Sequence, residues 1–147
     1  MKSEKLKRFI DTYYNPSANG RGWREYKALC EFLSFLESYP ADNYNLVFTK
    51  FRLHSIFEIY FYDFNEVEDF IGELSYKYPY LLIAKYYFED DREKRIDLDA
   101  GDVFKYLSNR SNIDPISGEV SHSIAEFIFV EYVLNKEAVE NVQYGRQ

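Results

Sequence analysis

Residues 56–90 read IFEIYFYDFNEVEDFIGELSYKYPYLLIAKYYFED, and how this stretch is read decides the fold. Ile56-Phe57-Glu58-Ile59-Tyr60-Phe61-Tyr62 is dense in aromatic and β-branched residues and has the composition of a strand. Asp63 then stands where a helix N-cap would, with Glu66 three residues on to complete a capping box. Val67, Phe70, Ile71, Leu74 and Tyr78 recur at helical spacing, so a helix is predicted over about residues 65–78, stopped by Pro79. Residues 80–88, Tyr-Leu-Leu-Ile-Ala-Lys-Tyr-Tyr-Phe, return to strand composition. The unit is strand, helix, strand.

Working outward, residues 44–51 also read as a strand, forming a hairpin with 56–62 through a turn near Leu53 and His54. Upstream, Leu6, Phe9, Ile10 and Tyr13 predict a helix over 3–14, and residues 15–22 concentrate turn formers. Trp23, Tyr26, Leu29, Cys30, Leu33 and Leu36 predict a helix over about 23–38 that ends before Pro40. Downstream, the charged run 90–94 reads as a turn and 95–98 as its return strand. Asp99 with Asp102 caps a short helix over about 100–109 with Val103, Phe104 and Leu107 on its apolar side. Residues 108–118 read as a surface loop. Residues 124–134 suit either a strand or, capped by Ser123 and Glu126, a helix. Their Phe, Ile, Val and Tyr content favours a strand at 126–134, followed by a helix over 136–143. The expected class is α+β, a mostly antiparallel sheet with helices packed on one face, of which the ferredoxin-like arrangement is one form. One domain is expected, its N-terminal part (about 1–40) helical and the rest (about 44–147) α+β.

The step Leu74-Ser75-Tyr76-Lys77-Tyr78-Pro79, followed by Ala84-Lys85-Tyr86-Tyr87-Phe88-Glu89-Asp90, resembles the YubB ferredoxin-like family of small plasmid and phage proteins. The similarity spans roughly residues 55–100; the Trp-rich strand and Pro-rich helix start of that family are absent here. It implies a ferredoxin-like sheet and a mobile-element origin, and no catalytic residues.

The chain has 147 residues with 15 Tyr, 13 Phe and one Trp, more aromatic bulk than one small core is expected to hide. It carries a net charge of −7, which disfavours direct binding to nucleic acid, where phosphate contacts require Lys and Arg. The single Cys30, in an apolar helical pattern, reads as a buried structural thiol and fits a reducing cytoplasm. The N-terminus shows no apolar leader, and Glu58, Lys85 and Glu131 interrupt the longest apolar stretches, so no membrane span is expected.

Catalytic equipment is sparse. His54 and His122 stand apart, with no spaced Cys or His nearby to complete a metal site, and each reads as structural or exposed. Asp97, Asp99 and Asp102 miss the calcium-loop pattern: Gly101 falls one place early and Ser108 stands where the bidentate Glu belongs. Asn19-Gly20-Arg21-Gly22, with Arg24 close by, precedes a helix and could hold an anion, but it has neither phosphate-loop nor dinucleotide pattern and reads as a linker. No cofactor and no enzymatic activity are expected.

The aromatic strands carry the functional expectation. Alternation along 56–62 sends Tyr60 and Tyr62 to one face, near Tyr87 if the strands pair, beside Glu58, Lys85 and Glu89. Such a face is either a second core layer beneath the N-terminal helices or an acid-flanked binding surface. On the second reading Glu58, Tyr60, Tyr62, Tyr87, Glu89, Asp90 and Asp91 dock on a basic protein partner and occlude it, as an immunity protein or a counter-defence protein does. Two alternatives stand beside it. A small-ligand binder or enzyme requires a concave pocket joining Arg21, Arg24 or His54 to several carboxylates. A homo-oligomer would use the extra aromatics as a subunit interface.

Overall fold

The computed structural model describes residues 3–19, 22–39 and 43–141. These form seven α-helices and four strands: α1 Ser3–Tyr13, α2 Pro16–Asn19, α3 Trp23–Glu37, β1 Phe48–Thr49, α4 Lys50–Phe57, α5 Phe64–Tyr76, β2 Leu82–Glu89, β3 Arg95–Leu98, α6 Ala100–Leu107, β4 Ile128–Leu134 and α7 Lys136–Glu140. The strands make one four-stranded sheet in the order β1-β4-β2-β3, and the class is α+β as expected. From Phe48 onward the succession is β-α-α-β-β-α-β-α, with a second helix between the first two strands that the β-α-β-β-α-β ferredoxin-like motif lacks. The chain divides into two compact units, Met1–Ile83 with Tyr132–Gln147, and Ala84–Glu131.

The first unit holds the main correction. Residues 44–51 and 56–62 are not a hairpin. Only Phe48–Thr49 forms a strand, and the chain then runs through α4 and a 3-10 turn at Glu58–Tyr60. The start is dictated by Thr49, whose Oγ1 accepts a hydrogen bond from Arg52 N at 3.0 Å. Leu53, Ile56 and Phe57 then fall on one helical side and are buried. Phe57 meets Phe32 at 5.8 Å and Phe70 at 5.2 Å between ring centroids, and Phe32 also meets Phe48 at 5.3 Å. This four-ring core overrides the β-propensity of the run.

α5 starts as expected, with Asp63 Oδ1 accepting from Glu66 N at 2.9 Å. The Glu66 carboxylate reaches one residue further back than a capping box requires and accepts from Tyr62 N at 2.7 Å. Val67, Phe70, Ile71 and Leu74 are its buried face, whereas Tyr78 lies beyond the helix and is exposed. α3 buries Ala28, Leu29, Phe32 and Leu36, a face rotated from the expected one, so that Trp23 at its first turn is 56% exposed. Cys30 is half-buried rather than enclosed, and desolvation pushes its thiol up. Residues 16–19, expected as loop, form the short α2. Pro40 and the end of the expected terminal helix, Val142 and Gln143, lie outside the described residues.

The second unit follows its expected elements closely. β2 and β3 pair antiparallel, Glu89 opposite Arg95 and Tyr87 opposite Asp97. Asp90 Oδ1 shapes the turn between them by accepting from Arg92 N and Lys94 N, each at 2.9 Å. Asp99 and Asp102 cap α6 reciprocally, Asp102 N donating to Asp99 Oδ1 at 2.8 Å and Asp99 N to Asp102 Oδ2 at 3.4 Å. α6 buries Val103 but leaves Phe104 and Leu107 exposed. The strand reading of 126–134 holds as β4, entered through a 3-10 turn at Ile124–Phe127; the Ser123 side chain does not cap it.

Candidate partner-binding site

The seven residues expected on one sheet face fall in two different units. Glu58, Tyr60 and Tyr62 lie on the 3-10 turn and loop after α4, because 56–62 is not a strand. Tyr87, Glu89, Asp90 and Asp91 lie on β2 and the turn that follows, and the sheet neighbours of β2 are β4 and β3.

Two of the four members of the second set, Tyr87 and Asp90, already have structural work. The Tyr87 ring lies between the Arg95 guanidinium, 3.7 Å from its centroid, and Phe129, stacked at 5.5 Å. Arg95 Nη1 donates to Glu131 Oε1 at 2.6 Å. Burial and then the Glu131 charge push the Tyr87 phenol up. Asp90 holds the turn, while Asp91 is exposed.

In the first set, Tyr60 is half-buried and donates to Glu31 Oε1 at 3.1 Å; burial and this bond raise its pKa. Glu58 is exposed. Tyr62 is 79% exposed, with the Arg24 guanidinium 3.7 Å over its ring. It belongs to a segment, 51–64, in which Phe51 is 81%, Ile59 75% and Phe64 66% exposed. α4 buries Leu53, Ile56 and Phe57 while Phe51 on the helix and Ile59 on the 3-10 turn that follows it are left to water. Apolar residues concentrated in this way are the material of interfaces.

Beside this segment lies a groove of about 570 Å³ that the sequence reading missed. The start of α3 supplies Gly22, Trp23, Arg24 and Glu25, the loop supplies Phe61, and α5 supplies Glu66, Asp69, Phe70 and Glu73. Glu66, Asp69 and Glu73 occupy one edge of α5 at spacings of three and four. Four carboxylates thus face one guanidinium, and Arg24 Nη1 lies 3.8 Å from Glu66 Oε2. The Glu25 side chain folds so closely over Gly22 that a Cβ there would collide with its carboxylate. Of the stretch 19–22, which reads as a linker, Gly20 and Arg21 lie outside the described residues, and the neighbouring Arg24 is turned to Tyr62 and Glu66. The pocket joining Arg24 to several carboxylates, which the small-ligand alternative requires, is present.

His54 is structural in its surroundings. Its Nε2 lies 2.5 Å from Glu68 Oε2, Lys50 Nζ lies 3.3 Å from Glu68 Oε1, and Phe64 stacks on the imidazole at 4.5 Å. Burial alone would raise the Glu68 carboxyl; the His54 hydrogen bond and Lys50 overcome it and hold Glu68 below its ordinary value of 4.5. A lowered folded pKa contributes stability that is present above the unfolded value and lost as pH falls through the folded one. Glu68→Gln is therefore expected to cost about 1–2 kcal/mol near neutrality. The gap to wild type should close below about pH 4.5. Urea midpoints from pH 7 to 3 measure this, and a gap constant across that range would contradict it. His122 is exposed and borders a smaller cleft with Tyr106, Ser111 and Ser121. Among the described residues no three His, Cys, Asp or Glu side chains are grouped to hold a metal ion, and no helix is long and apolar enough to cross a membrane.

No protein-family model matches the chain, and neither a curated protein nor a solved structure matches it.

Proposed function

We propose that the chain is a protein-binding module that occludes a basic partner stoichiometrically, in the manner of an immunity protein or a phage or plasmid counter-defence protein. The observation that carries this reading is the 51–64 segment, whose Phe51, Ile59, Tyr62 and Phe64 are each about two-thirds or more exposed next to an acidic groove. Large apolar and aromatic side chains supply the desolvated centre of an interface, and an acidic surround steers a basic partner into contact. The net charge of −7 extends that steering beyond the groove. Tyr62 and Glu58 are the expected residues that this reading retains as direct contacts. A cytoplasmic location belongs to the same proposal and is supported by the lone thiol of Cys30.

Affinity capture of the tagged chain from its native host, at low and high salt with mass-spectrometric readout, tests it. One basic protein in a 1:1 ratio, lost at high salt, is the expected result. Recovery of the chain alone would overturn the reading, and self-association by light scattering would then favour the homo-oligomer. The groove itself favours a second reading, a small cationic ligand as the occupant.

A further inference from the structure

We infer that the groove between the start of α3 and the acidic edge of α5 receives an arginine side chain of the partner, an inference that rests on the binding reading above. The protein displays the required chemistry with a residue of its own. Arg24 lies flat over the Tyr62 ring at 3.7 Å and directs Nη1 towards Glu66 at 3.8 Å. A planar guanidinium set between an aromatic face and a carboxylate is the arrangement that a desolvated arginine seeks. Arg24 satisfies only part of the site. Asp69, exposed, makes no hydrogen bond or ion pair with the described residues; Glu25 adds a further carboxylate to the lining, and Glu73 adds one that Lys77 Nζ approaches to 3.4 Å. Trp23 and Phe61 supply aromatic surface within the same walls. The groove therefore offers an excess of negative charge and apolar walls at the same place, complementary to a guanidinium on an aliphatic stem. Arg24 competes with that guest for Glu66, which makes it a tethered occupant of one edge of the site.

This competition gives the inference a sign that general charge attraction does not share. Trp23 is the single tryptophan of the chain and lines the groove, so its fluorescence reports occupancy directly. The probe is an acetylated tetra-arginine amide titrated into the full chain. Saturable quenching is expected, and Asp69→Asn with Glu73→Gln should weaken the affinity about tenfold. Arg24→Ala should tighten it about threefold, whereas Lys27→Ala, which removes a charge from the same helix outside the groove lining, should leave it within error. Equal gains from Arg24→Ala and Lys27→Ala would reduce the effect to net charge and overturn the inference, as would a titration that fails to saturate. N-acetyl-arginine amide binding as tightly as the peptide would assign the groove to a free small cation and also overturn it. A captured basic partner whose affinity is unchanged by Asp69→Asn with Glu73→Gln would sink this inference while leaving occlusion standing. Failure to capture any partner, with the peptide result intact, would overturn occlusion and, with it, the partner as the source of the guest arginine.

Discussion

Phe57→Ala should lower the stability of the first unit by about 3–5 kcal/mol, while Ile59→Ala two residues later should change it by less than about 0.5 kcal/mol. Phe57 is fully buried and meets the rings of Phe32 and Phe70, so its truncation removes a large buried surface and leaves a cavity whose aromatic neighbours sit on two other helices, α3 and α5. Ile59 is 75% exposed and loses little on truncation. Denaturant unfolding followed by Trp23 fluorescence measures both in the unit concerned. The contrast separates the two readings of residues 56–62. In a strand, Phe57, Ile59 and Phe61 point to the same side, and Phe57→Ala and Ile59→Ala would be comparably costly. In the observed helix and 3-10 turn they diverge. Comparable losses would contradict the structure of this segment.

The second large effect falls on binding. Tyr62→Ala should weaken the captured partner about thirtyfold, mostly through faster dissociation, because a large exposed aromatic at the centre of an interface is a typical hot spot. Glu58→Lys should act differently, slowing association and flattening its salt dependence, since an exposed rim charge contributes through steering. Surface plasmon resonance resolves the two rates. A Tyr62→Ala variant that alters only association, or neither rate, would remove Tyr62 from the contact.

Much of this architecture was legible in local chemistry. Asp63 and Asp99 each announced a helix start, and each cap forms. The charged run 90–94 lies between β2 and β3, and Asp90 holds the turn there with its own carboxylate. Residues 50–60 were not legible from composition, because Phe, Ile and Tyr satisfy a strand and a buried helix alike, and α4 is too short for its period to declare itself. The signal that was available is Thr49, a helix N-cap ahead of the aromatic run. What settles the matter is long-range, since Phe57 is enclosed by rings from α3 and α5.

The site divides in the same way. That exposed tyrosines would stand beside carboxylates followed from composition, and Tyr62 meets that expectation. The groove did not follow, because it joins the first turn of α3 to the edge of α5. Trp23, assigned by periodicity to a buried face, sits at a helix end where the face is left uncovered. Arg24 stood beside a stretch that read as a linker, and only the fold places its ring partner. The spacing of Glu66, Asp69 and Glu73 along α5 puts them on one edge, but nothing local says that an aromatic wall stands opposite.

The most direct measurement is the dissociation constant of the captured partner for the wild-type chain and for a Phe51→Ser, Ile59→Ser, Tyr62→Ser triple variant, with unfolding midpoints recorded in parallel. All three residues are more than two-thirds exposed, so the midpoint should hold while affinity falls about a hundredfold or more. An unchanged dissociation constant at an unchanged midpoint would show that the partner is held elsewhere and would contradict the account.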